Sequence, residues 1–119
     1  MTNEAIPEPG PARDRMVAEV VGWTWHEDEG FGWCFDAVGA MRHPSEYDAD
    51  ALAVLEAWRA EHPWRFWEIG SPLVSDPDCR TWNVVLYQSV ESDEGAWSGE
   101  GPTLPAAATA ALLATGEGT

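Results

Sequence analysis

Apolar positions recur at helical spacing in three stretches of this chain and alternate with polar ones in several others. Met16, Val17, Val20 and Val21 fall on one helical face and predict a helix over 12–22. Arg13, Arg15 and Glu19 are expected to lie largely away from that face, and Gly22 supplies the stop. Alternation in Trp23-Thr24-Trp25-His26 and again in Phe31-Gly32-Trp33-Cys34-Phe35 predicts a hairpin turning at 27–30. Phe31, Trp33 and Phe35 then share one face. Gly32 and Cys34 share the other, small enough for a helix to lie close.

Residues 36–48 read as a loop broken by Gly39 and Pro44. A second helix is expected from an aspartate cap, Asp48 or Asp50, through Leu52, Leu55 and Trp58 to about Glu61, closed by Pro63. Residues 64–69 form a candidate strand, and Thr81 to Gln88 the clearest one. The acidic, glycine-rich stretch 91–102 around Trp97 reads as a loop. A third helix begins at Thr103 as cap, with Pro105 in its first turn, and runs to Gly116. Its alanines permit very close packing on a sheet. The order α-ββ-α-β-β-α predicts an α/β (α+β) fold: about four mainly antiparallel strands with three helices, sandwich-like.

The punctuation at the ends sets the domain limits. Residues 1–11 carry three prolines without an apolar period and read as a disordered segment, and 116–119 as a flexible tail. One domain is expected over 12–115. No stretch approaches the roughly 18 apolar residues of a membrane helix. The N-terminus lacks the basic-then-apolar order of a secretory signal, so a cytoplasmic setting is expected. In that setting Cys34 and Cys79 read as two reduced, packed side chains, with one disulfide as the alternative.

Charge changes the picture more than length does. There are 21 acidic residues against six basic ones, every one of them arginine, for a net charge of −15. Such a chain repels DNA and RNA over long range and favours a basic partner surface. Eight tryptophans are the second anomaly. Each can remove up to ~250 Å² from water, about 6 kcal/mol gross. Eight exceed what one small core readily encloses, so some are expected to be partly exposed and available for a partner.

Four segments, in this order, resemble the phage ABA sandwich domain family: MVAEVVGW (16–23), PSEYDADALAVLEAW (44–58), WNVVLYQ (82–88) and GPTLPAAATAALLA (101–114). The resemblance implies a small α/β/α protein encoded by a phage or prophage, in a family largely without assigned activity. Ala108 and Thr109 stand where family members often carry a cysteine–arginine pair, so no role tied to that pair is carried over.

No metal, cofactor or catalytic site is expected. His26-Glu27-Asp28-Glu29, joined by Asp36 or His43, is the best metal candidate, but acids at a hairpin turn are ordinarily solvated and the spacing follows no standard pattern. Asp48 and Asp50 are explained by capping, and His43 and His62 as surface residues beside prolines. There is no G-x-S-x-G, P-loop, G-x-G-x-x-G or H-E-x-x-H. Cys34, within a strand, reads as a packed thiol.

Binding residues are sought instead among the surplus aromatics and the arginines near them: Trp25, Trp33, Arg42, Tyr47, Trp64, Arg65, Arg80 and Trp97. Two functions from different classes follow. One is a non-enzymatic counter-defence protein that blocks a basic host protein through an acidic, tryptophan-bearing surface. The other is a sponge that stacks a nucleotide-derived immune signal between tryptophan rings and pairs its phosphate with arginine. A structural phage component is a third possibility, and homo-oligomers are compatible with all three.

Overall fold

The computed structural model describes residues 7–28, 31–62, 64–72, 81–88 and 96–115. The first helix, α1 (Pro11–Val21), starts on a proline, whose missing N–H costs nothing in a first turn. It ends on Gly22 at φ 77°, a left-handed position that favours glycine. Then come β1 (Thr24–Asp28), β2 (Phe31–Phe35), the two-residue β3 (Met41–Arg42) and α2 (Asp48–Ala60). The chain closes with β4 (Phe66–Gly70), β5 (Trp82–Tyr87), β6 (Trp97–Gly101) and α3 (Leu104–Ala114).

The fold is mixed α+β, but its strands form two sheets instead of one of about four strands. β1-β2-β3 make one antiparallel sheet and β4-β5-β6 the other. Two strands beyond the expected four, β3 and β6, account for the higher strand number. β3 is too short for alternation to register. β6 reads W-S-G-E-G, and its glycines give it the composition of a loop. Tertiary contact overrides that propensity. A Cβ placed on Gly99 would run into the backbone of Ala107, Ala110 and Ala111, and one on Gly101 would lie 2.7 Å from the Ala106 Cβ. Neither glycine is needed for its backbone angles; both are needed for space, so that α3 can lie directly on β6.

The helices pack on one another, and each sheet lays one face against them, β2 on α1 and β5-β6 on α3. The core gathers Val17 and Val21 of α1, Val54, Leu55 and Trp58 of α2, Val84 and Leu86 of β5, and Ala108 and Leu112 of α3. Thr103 caps α3 as expected, its Oγ1 accepting from Ala106 N–H at 3.2 Å. α2 departs from expectation. Its N-cap is Tyr47, with no side-chain cap bond, so Asp48 and Asp50 lie inside the first turn.

α1 carries a larger correction. Arg13, expected to face away from the core, is 7% exposed, and Asp14 is fully buried. Positions 14, 17, 18 and 21 share one helical face, so the buried stripe continues through an aspartate. Arg13 reaches across to α3, Nη2 donating to the Ala106 carbonyl at 2.8 Å and Nη1 to the Pro7 carbonyl at 3.3 Å. Residues 7–10, read as part of a loose segment, are therefore tied down. Among the described residues no helix is long and apolar enough to cross a membrane.

Candidate functional site

The densest polar chemistry lies where the start of α1 meets the turn between β3 and α2. His43-Pro44-Ser45-Glu46 wraps one tight turn, with the N–H groups of Glu46 and Tyr47 donating to the His43 carbonyl at 3.0 and 3.1 Å. Buried Ser45 holds the turn to the helix start. Its N–H donates to Asp14 Oδ1 at 2.8 Å, and its Oγ accepts from Gly10 N–H at 2.8 Å. Burial pushes the Asp14 carboxyl above the usual aspartate range, and the Ser45 hydrogen bonds pull it partly back. The second oxygen, Oδ2, has no hydrogen-bond partner. It lies 3.8 Å from His43 Nδ1, which is 3.9 Å from Glu46 Oε2.

Beside this cluster Arg42 bridges two acids, its Nε donating to Asp36 Oδ2 and its Nη1 to Asp50 Oδ1, each at 2.9 Å. The other Asp50 oxygen accepts from His43 N–H at 2.8 Å. Asp50 is thus a tie between α2 and β3, not a cap. The N–H groups of Ala40 and Val38, together with Arg42, hold the Asp36 carboxyl below its ordinary range, with Ala40 the largest contributor and burial opposing. Asp50 and then Asp36 raise the Arg42 guanidinium, so it stays charged.

The structure does not gather the expected binding residues. Trp25 pairs in register with Cys34, while Trp33 pairs with His26, so the two indoles occupy opposite faces of their sheet. Trp25 fills the space over Gly32, where an added Cβ would lie 2.7 Å from its Cη2. Trp33 joins an outer aromatic cluster, 4.7 Å from the His26 ring and 6.3 Å from Phe35. Trp97 is not on a loop. It sits in β6 against the core, edge-on to Trp58 at 6.5 Å. Arg65 is 3% exposed and lies over the Trp58 ring at 4.6 Å. Arg42 is held by its two acids. Tyr47 and Trp64 remain open, 58% and 54% exposed. Arg80 and Cys79 lie outside the described residues.

The His26–Glu29 run, weighed as a metal candidate and set aside, does not converge among its described residues. Successive residues of β1 point to opposite faces, so His26 and Asp28 diverge from Glu27; Glu29 lies outside the described residues. His43 instead meets Asp14 and Glu46, which sequence reasoning passed over. The signal for Asp14 was available, since it continues the apolar stripe of α1.

An open apolar groove of about 330 Å³ runs between the 36–38 turn and α2. Trp23, Val38, Ala53 and Ala57 line it, with Asp36 and Glu56 at its edge. Val38 is 88% exposed. The small alanines of α2 leave the floor shallow and uncharged.

Neither the Cys34 thiol nor the Ser45 hydroxyl is activated as a nucleophile. Cys34 is buried, its thiol donating to the Arg42 carbonyl at 3.3 Å. Burial, then the nearby Asp14 and Asp50 carboxylates, push it up to about 12, away from the thiolate form that chemistry needs. Ser45 Oγ is buried and engaged with Gly10. Compared with known proteins, the chain matches no family model and no curated sequence.

Proposed function

We propose that this chain is a non-enzymatic, phage- or prophage-encoded binding protein that engages a basic host protein. The observation that carries this reading is the apolar groove set in an acidic molecule. Trp23, Val38, Ala53 and Ala57 offer a hydrophobic trough to an inserted side chain, and a net charge of −15 favours a positively charged surface around that chain. Val38 at the rim presents its side chain to solvent, 88% exposed. Resemblance to phage ABA sandwich proteins supports the phage origin, and a counter-defence role fits an acidic domain able to cover a basic nucleic-acid groove.

The sponge reading draws less support. Arg42 and Arg65 are engaged within the fold, and Trp25, Trp33 and Trp97 face different surroundings. None of these pairs a free guanidinium with an accessible ring.

The test is capture of basic proteins from host lysate at low and moderate salt by the wild type and by Val38→Arg and Ala53→Arg. Retention of one basic protein by the wild type, with loss in both variants at unchanged fold, supports the proposal. Equal capture by the variants, or capture of nothing at either salt, counts against it.

A further inference from the structure

We infer that Asp14, His43 and Glu46 form a binding site for one divalent transition-metal ion of the zinc–manganese class. The three offer one carboxylate oxygen, Nδ1 and a second carboxylate oxygen, all within 4.8 Å of one another. Donors around zinc at about 2.1 Å stand roughly 3.4 Å apart, so closure on an ion needs only a modest contraction. Glu46 is exposed and His43 only partly buried, so both side chains can supply that movement.

The case rests on Asp14. A carboxylate with no solvent exposure normally satisfies both oxygens, because an unpaired buried charge is costly. Here Ser45 N–H satisfies Oδ1, and Oδ2 faces His43 Nδ1 at 3.8 Å with no hydrogen-bond partner. A cation between them supplies the missing partner. The Ser45 bond then acts as the outer-shell contact that orients a ligating carboxylate. His43 is steadied by its own backbone N–H, which donates to Asp50 Oδ2 at 2.8 Å.

The donor set also selects the ion. One imidazole with two carboxylates favours zinc or manganese over the all-oxygen coordination of calcium and magnesium. Three protein donors leave further positions for water on the exposed Glu46 side. Binding would staple the start of α1 to the turn before α2, and it requires nothing of the groove.

Calorimetric titration of the full chain with Zn²⁺, Mn²⁺ and Mg²⁺ at neutral pH and moderate salt tests the site. One equivalent of Zn²⁺ or Mn²⁺ is expected to bind more tightly than Mg²⁺. His43→Ala and Glu46→Gln are each expected to weaken it at least tenfold, on the order seen for changes around metal ligands, while His26→Ala leaves it unchanged. Neither His43 nor Glu46 belongs to the core, so both variants should fold, and a thermal melt of each confirms it. Asp14→Asn serves as a third variant where it folds. Binding no tighter than Mg²⁺, or Zn²⁺ affinity equal in His43→Ala and Glu46→Gln, overturns the proposal, since diffuse attraction to an acidic surface then accounts for it.

Discussion

Arg65 lies with its guanidinium 4.6 Å from the centre of the Trp58 ring and donates from Nη1 to the Trp58 carbonyl at 3.0 Å. One buried arginine thus covers the largest side chain of the core and satisfies backbone at the end of α2. Arg65→Ala is expected to destabilise the protein by about 2–3 kcal/mol, from the charged hydrogen bond and the cation–π contact together. Arg65→Lys should recover only part, because lysine lacks the planar guanidinium. Urea denaturation curves check both, and a loss below 0.5 kcal/mol, the range of ordinary surface changes, would count against the packing role.

Gly99 gives a steric counterpart. A methyl there meets the backbone of α3, which no side-chain rotation relieves. Gly99→Ala is expected to cost at least ~1–3 kcal/mol by overpacking, whereas Gly70→Ala, whose added Cβ would be no closer than 3.8 Å to Asn83, should be far milder. Thermal melts of the two variants side by side give the comparison.

The Arg42–Asp50 pair tests whether Asp50 ties elements together or caps a helix. A cap acts on its own helix and should not depend on Arg42. A tie gives coupling between the two, expected at ~1 kcal/mol for a partly buried ion pair. A double-mutant cycle of Arg42→Ala and Asp50→Ala measures it, and strict additivity would return Asp50 to a local role.

Cys34 sets a pH dependence. Its thiol stands at 9.0 ordinarily and about 12 in the folded protein. Above pH 9 the unfolded chain releases this proton first, so it binds fewer protons than the native state and stability falls as pH rises. The contribution is whole below pH 9 and is lost progressively up to about pH 12, ~4 kcal/mol in all. Cys34→Ala should show a shallower alkaline decline in denaturation midpoints. The same burial should leave native Cys34 unreactive toward thiol reagents at pH 8 until denaturant is added. Rapid native labelling of Cys34 would contradict both expectations.

Much of the local structure was legible in the residues themselves. The valines of α1, Leu55 and Trp58 of α2, the Thr103 cap and the alternation of β5 are each signalled within a few neighbours, and each element formed close to where the sequence placed it. Leu52 of the expected α2 face, however, is 41% exposed, and Ala51 and Val54 are buried instead. The sequence alone also settled that the molecule is strongly acidic and rich in tryptophan. What it left open depended on partners far along the chain. β6 is a strand because α3 lies on its glycines, and a local pattern of glycine and serine cannot announce a helix that arrives later. Asp14 is buried because α1 docks on the turn holding Ser45, 31 residues away. Arg65 and Trp97 read as surface candidates by composition, and packing around Trp58 took both inward. Local periodicity is written in neighbouring residues, whereas burial and convergence of side chains arise only when distant segments meet.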